Sequence, residues 1–149
     1  MTQTNQELDR IERSIDIDAT AETVWALVQR PGWWINEEEV DPAPELRREG
    51  EYDVLVHPKF GEFRLQTLER DEPRHISYHW VDNVAPEAGT TVEFWIEERD
   101  AGVTLRVVES GFNSLKKDRE AIANQVKENT HGWEVELAAA QRFVTGPAT

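Results

Sequence analysis

The hydrophobic period of this chain changes once, and that change limits what it can fold into. From about Asp118 to Val144, the residues Ile122, Val126, Asn129, Trp133, Leu137, Ala140 and Val144 recur at steps of three and four. This spacing lines them up on one stripe of a long helix, and a stripe of that length has to be buried against a core. Gly146-Pro147 then ends the helix. Two residues stand out within it. Asn129 is the one polar member of the stripe, and Gly132 costs about 1 kcal/mol relative to alanine in a helix interior, so a packing or functional reason is to be sought for each.

Upstream of the helix the period is two. Ile11, Arg13, Ile15 and Ile17 alternate with Glu12, Ser14, Asp16 and Asp18, which predicts a strand with one mostly apolar face. Asp18 and Thr20 offer side-chain oxygens to orphan amides, so a short helix starts near Ala21 and stops by Arg30, ahead of Pro31-Gly32. Trp33, Trp34 and Ile35 form an apolar knot, followed by the acidic run Glu37 to Glu39 and by Asp41-Pro42-Ala43-Pro44, which cannot be regular structure. Together these read as a lid-like connection. Beyond it, Tyr52 to Val56, Glu62 to Glu69, Ile76 to Trp80, Thr91 to Glu97 and Val103 to Val108 are rich in β-branched and aromatic residues and predict a five-strand antiparallel meander. Asp100-Ala101-Gly102 is a short hairpin loop.

The 149 residues make one domain, 1–149, with residues 1–10 as a loose polar tail. The chain has no cysteine, which removes disulfides, iron–sulfur clusters and thiolate zinc. Sixteen Lys and Arg against thirty Asp and Glu give a net charge of -14, which argues against nucleic acid as a partner and otherwise reads as a solvated surface. No apolar run suits a membrane span, and MTQTNQELDR lacks the basic and apolar segments of a signal peptide, so a cytoplasmic protein without membrane insertion is expected. His75 and His79 share a strand face but sit roughly 13 Å apart, too far to hold one ion. His57 and His131 lack ligand spacing, and no nucleotide-binding or zinc-protease motif occurs, so neither a metal nor a cofactor is expected.

Several short motifs, taken in order, resemble one family. They are Ile11-Glu12-Arg13, Ala19-Thr20-Ala21-Glu22-Thr23-Val24-Trp25, Asp71-Glu72-Pro73-Arg74-His75-Ile76-Ser77-Tyr78-His79-Trp80, Gly102-Val103-Thr104-Leu105, Glu109-Ser110-Gly111-Phe112, and His131-Gly132-Trp133 with Leu137. Over residues 10 to 145 the chain resembles the SRPBCC or START-like superfamily, and within it the branch named after the activator of the Hsp90 ATPase (AHSA1-like). The resemblance implies an α+β helix-grip fold (START-like, Bet v 1-like), in which a curved antiparallel sheet wraps a long C-terminal helix. Relatives often carry glycine where Leu65 stands and histidine where Glu109 stands. A leucine at 65 would shrink the space beneath the helix, and Glu109 would set a carboxylate at its rim.

Alternation turns Val92, Phe94, Ile96, Leu105 and Val107 inward, together with Ile76, Tyr78 and Trp80. The candidate ligand-binding residues are Trp33, Trp34, Tyr52, Phe63, Leu65, Tyr78, Trp80, Phe94, Glu109, Asn129 and Trp133. The aromatics either line a pocket or fill the core, and the resemblance favours the pocket. Asn129 either hydrogen-bonds a ligand or satisfies a backbone carbonyl near Gly132. Glu109 is read as wet, as strand-ending glutamates usually are, whereas a dry Glu109 would have a raised pKa and could act as an acid. The leading expectation is a module holding a small apolar or aromatic molecule, such as a lipid or aromatic metabolite, with Trp33-Trp34 as gate. A chaperone-interaction module comes second. Third is an enzyme resembling polyketide cyclases and dehydratases, with Tyr52, Tyr78, Asn129 or Glu109 moving protons. For a homodimer there is only the general prevalence of twofold oligomers.

Overall fold

A computed structural model describes residues 9–82, 85, 87–115 and 117–146 of the chain. Residues 1–8 of the expected tail, Pro86 and Pro147 lie outside the described residues. The elements are β1 (Arg10–Ile17), α1 (Ala21–Val28), β2 (Glu45–Glu49), β3 (Tyr52–His57), β4 (Gly61–Asp71), β5 (His75–Val81), β6 (Gly89–Arg99), β7 (Gly102–Ser110), a 3-10 turn (Phe112–Ser114) and α2 (Arg119–Thr145). All seven strands belong to one antiparallel sheet in the order β1-β7-β6-β5-β4-β3-β2. This curved sheet and the long C-terminal helix form the helix-grip arrangement that the sequence implied.

Local chemistry sets the helix starts. The Thr20 side chain accepts from the Thr23 amide at 3.1 Å, and the Asp118 carboxylate accepts from the Ala121 amide at 2.8 Å, so each helix opens on a satisfied donor. The α2 stripe falls as spaced: Ile122, Trp133, Leu137 and Ala140 are buried, with Val126, Asn129 and Val144 half-buried. The inward strand face is also as expected. Val92, Phe94, Ile76, Tyr78, Leu105 and Val107 are all 0% exposed. Gly102 closes the β6–β7 hairpin with φ +131, and a Cβ there would lie 2.2 Å from the Ile17 carbonyl oxygen, so only glycine fits.

One strand was not expected. β2, Glu-Leu-Arg-Arg-Glu, is largely exposed and has no apolar alternation. Its ladder to β3 holds it, aided by Arg47, which donates to Glu49 and twice to Glu62.

The strand order has a consequence for the segment between α1 and β2. β1 and β2 occupy opposite edges of the sheet. The chain between them must therefore cross six strand spacings of about 4.8 Å each. α1 packs on β6 and β7, and the Pro31–Trp34 turn continues beneath the sheet. Trp33 and Trp34 are accordingly 3% and 5% exposed. In this structure they are part of the core rather than a surface lid.

Candidate functional site

Six of the aromatic candidates meet in the middle of the molecule. Trp34 packs on Trp33, Tyr78, Trp80, Phe94 and Trp133 with ring centroids 5.4 to 6.1 Å apart. Phe94 also meets Trp33 at 5.3 Å and Trp133 at 5.7 Å. The centre of the grip is thus filled by the chain's own rings. Leu65 adds to the filling: it is fully buried, and its methyl would lie 3.1 Å from a Cβ on Gly32. The Tyr78 hydroxyl donates to the Val28 carbonyl at 2.6 Å, tying the end of α1 to β5, and burial pushes its pKa up. Tyr52 stands apart. Register pairs Asp53 with Leu65 and Leu55 with Phe63, so Tyr52, one residue out of phase, lies on the opposite face with Val54.

Open space remains at one end of the grip, where α2 starts. A recess of about 200 Å³ lies between the first turns of α2, the 3-10 turn and the ends of β5, β6 and β7. Phe63, Trp80, Phe112 and Leu115 supply its apolar wall, and Thr90, Glu109, Gln125 and Asn129 its polar wall. Phe63, Trp80, Glu109 and Asn129 were expected at a site. Thr90, Phe112, Leu115, Lys117 and Gln125 were not, although Thr90 shares the parity of Val92 and Phe94 on β6 and could have been read from it.

Glu109 organises the polar wall. It sits two residues past Val107, so the β7 alternation carries it inward, and it is 1% exposed. The expectation of a wet glutamate is corrected by that burial: α2 and the 3-10 turn cover the end of β7. Its Oε2 accepts from the Thr90 hydroxyl at 2.6 Å, and its Oε1 accepts from Asn129 Nδ2 at 3.1 Å and Trp133 Nε1 at 2.8 Å. Burial pushes the Glu109 carboxyl above its ordinary pKa, and the three hydrogen bonds oppose that rise without cancelling it. Asn129 donates to Glu109 and accepts from Gln125 at 3.0 Å, rather than serving a backbone carbonyl near Gly132. Gln125, Asn129 and Trp133 are four residues apart, which stacks them on one face of α2.

A second buried carboxyl escaped the sequence reading. Glu136 on α2 is 8% exposed and accepts from Asn36 Nδ2 at 2.8 Å, while Asn36 also donates to the Trp33 carbonyl at 3.1 Å. Burial pushes Glu136 up to about 7. Its signal was its place three residues after Trp133, on the edge of the apolar stripe. Gly132 has no packing role, since a Cβ there would meet nothing within 4 Å. Among the described residues no group of His, Asp or Glu could hold a metal ion, and no helix is long and apolar enough to cross a membrane.

The profile of the family described as Activator of Hsp90 ATPase homolog 1-like protein matches residues 18–140. The chain belongs to that family. Its AHSA1-like domain is a member of the SRPBCC superfamily, and the matched span runs from the α1 cap through most of α2. Among solved structures, a protein from Mesorhizobium loti is similar at 17% identity and TM-score 0.67, over 91% of this chain and 96% of that one. A Bacillus halodurans protein is similar at 22% identity and TM-score 0.64, over 93% and 99%. A Polyketide_cyc-like protein from Corynebacterium glutamicum is similar at 20% identity and TM-score 0.61, over 91% of each chain. At these identities the AHSA1-like domain shares a fold with them. No curated protein matches the chain.

Proposed function

We propose that this domain binds a small molecule whose compact apolar body lies against Phe63, Trp80, Phe112 and Leu115 and whose polar end faces Glu109 and Thr90. The observation that carries this reading is a buried carboxyl on the polar wall of a recess whose other wall is apolar. Apolar walls supply binding energy and a few fixed polar groups supply orientation. Size narrows the guest. A cavity of about 150 Å³ holds benzene, so the 200 Å³ here suits one ring with a short side chain. An extended lipid chain does not suit it, because the space such a chain would need is occupied by Trp33, Trp34 and Trp133.

The test is direct. Native mass spectrometry of the freshly purified protein looks for a guest of one-ring size, and a titration with 2-phenylethanol is followed by backbone amide NMR. Binding with a Kd near 1 mM, about -4 kcal/mol, is expected, with shifts centred on Thr90, Glu109 and Asn129. No retained guest together with no shifts at those residues refutes the reading.

A second reading has one observation behind it. A carboxyl with a raised pKa beside a recess can exchange a proton with a bound molecule, and one structural neighbour is described as Polyketide_cyc-like. In that reading Glu109 moves the proton. Tyr78 does not, because its hydroxyl is committed to the Val28 carbonyl. The chaperone reading rests on the family's description, and whether the domain changes the ATPase rate of an Hsp90-type chaperone decides it.

A further inference from the structure

The hydrogen-bond polarity around Glu109 narrows the guest's chemistry. Lysine can only donate, so Lys117 Nζ donates to Gln125 Oε1 at 2.8 Å. That leaves the Gln125 amide nitrogen to donate to Asn129 Oδ1 at 3.0 Å, and the Asn129 nitrogen to donate to Glu109 Oε1 at 3.1 Å. Every donor in the row points toward the carboxyl. Trp133 and Thr90 donate to it as well. Of roughly four acceptor directions on a carboxylate, Oε1 uses two and Oε2 uses one, so one on Oε2 receives no donor from the described residues. The Thr90 hydroxyl, having given its hydrogen to Oε2, offers only lone pairs to anything else.

No Lys or Arg among the described residues forms an ion pair with Glu109, although arginine–carboxylate pairs such as Arg10–Glu12 and Arg106–Glu97 occur elsewhere. Among the described residues lining the recess, the other charged side chains are Asp82, also acidic, and Lys117, which is exposed and spends a donor on Gln125. An exposed lysine attracts an anion weakly, because water screens it. A cation brought beside a carboxyl removed from water favours its ionised form and is held by it more strongly than a screened surface pair. Trp80 and Phe63, half-buried in the lining, add aromatic surface, which also favours cations. The net charge of -14 acts in the same direction at longer range.

We infer that the guest of this recess is a small organic cation: a protonated amine on a one-ring or similarly compact apolar body, with its ammonium at Glu109 Oε2 and Thr90 Oγ1. The inference rests on the recess-binding reading above and is tested so that the two fail separately. Three probes of matched shape are titrated into the wild-type protein at neutral pH: 2-phenylethylamine, 2-phenylethanol and 3-phenylpropanoate. The amine is expected to bind at least tenfold more tightly than the alcohol, and the propanoate more weakly than either. The preference for the amine is expected to shrink on acidification, as Glu109 takes up a proton, and on adding salt.

In Glu109→Gln the amine and the alcohol are expected to bind alike. Should that variant fail to fold, the salt and pH dependence of the wild-type preference carries the test, and Thr90→Val, expected to weaken the amine more than the alcohol, supplements it. Equal binding of amine and alcohol by the wild type, or tighter binding of the propanoate, overturns the inference while leaving a recess that binds. Failure of all three probes at millimolar concentration overturns the recess reading itself.

Discussion

Trp34 and Trp133 sit in the same aromatic cluster, 5% and 3% exposed, with ring centroids 5.7 Å apart. They differ in one respect. The Trp133 indole donates to Glu109 at 2.8 Å, whereas the Trp34 indole nitrogen is buried without a hydrogen-bond partner. The same substitution, tryptophan to phenylalanine, should therefore have very different consequences at the two positions. Each exchange removes roughly 40 Å³ of side chain, worth about 1 kcal/mol as cavity. At Trp34 it also removes an unsatisfied donor whose burial costs about 1 to 3 kcal/mol. Trp34→Phe should leave stability unchanged or raise it by up to about 2 kcal/mol. At Trp133 the exchange loses a hydrogen bond to a charged group, about 1.5 to 3 kcal/mol. Trp133→Phe should then cost about 2.5 to 4 kcal/mol in all.

Urea unfolding at pH 8, followed by far-UV circular dichroism, measures both. With slopes of about 1 to 3 kcal/mol per molar, the two midpoints should separate by roughly 1 M or more. The gap should narrow at acid pH, where a protonated Glu109 accepts more weakly. Equal losses in the two variants would show that the indole N–H bonds do not govern stability here, and the account of Glu109 as the organiser of the polar wall would fall with them.

Three further variants probe other positions of the fold. Glu136 is held at about 7 against an ordinary 4.5, so between those values the folded state keeps a proton that the unfolded chain has lost. Its contribution therefore makes stability fall as pH rises from 4.5 through about 7. Glu136→Gln keeps the oxygen that Asn36 uses, and urea midpoints measured across that range should show a flatter profile and a gain above neutrality; an unchanged slope would count against it. Among glycines, Gly132→Ala should stabilise by about 1 kcal/mol, because its Cβ enters open space, and a fall in the thermal midpoint would refute this. Gly102→Ala should cost more than about 2 kcal/mol, its Cβ meeting the Ile17 carbonyl, and a thermal midpoint near that of wild type would refute this.

The parts of the fold that were legible are those in which one physical term dominates. α2 was readable because a seven-member stripe at steps of three and four has few other interpretations, and β5 to β7 because alternation with β-branched and aromatic residues is unbroken there. β2 was not readable, because Glu45–Glu49 carries its pairing information in partner strands and in the Arg47–Glu62 contact rather than in its own pattern. Glu109 and Glu136 share a different difficulty. Charge predicts exposure, and only the alternation of β7 and the stripe of α2 argue otherwise, so a local rule and a periodic rule conflict and the periodic rule wins. The Trp33-Trp34 segment followed a third logic. Its burial comes from the edge-to-edge crossing, a property of strand order, which a reading of neighbouring residues does not contain.

That crossing has a consequence for how such a scaffold can change. Two of the largest side chains filling the interior come here from consecutive residues in a reverse turn, beside ladder residues such as Leu65, Tyr78 and Phe94. The turn can be shortened, lengthened or refilled with smaller side chains without breaking a single rung between strands. A lineage built on this frame could thus pass from a nearly solid body to a capacious one by editing one short connection.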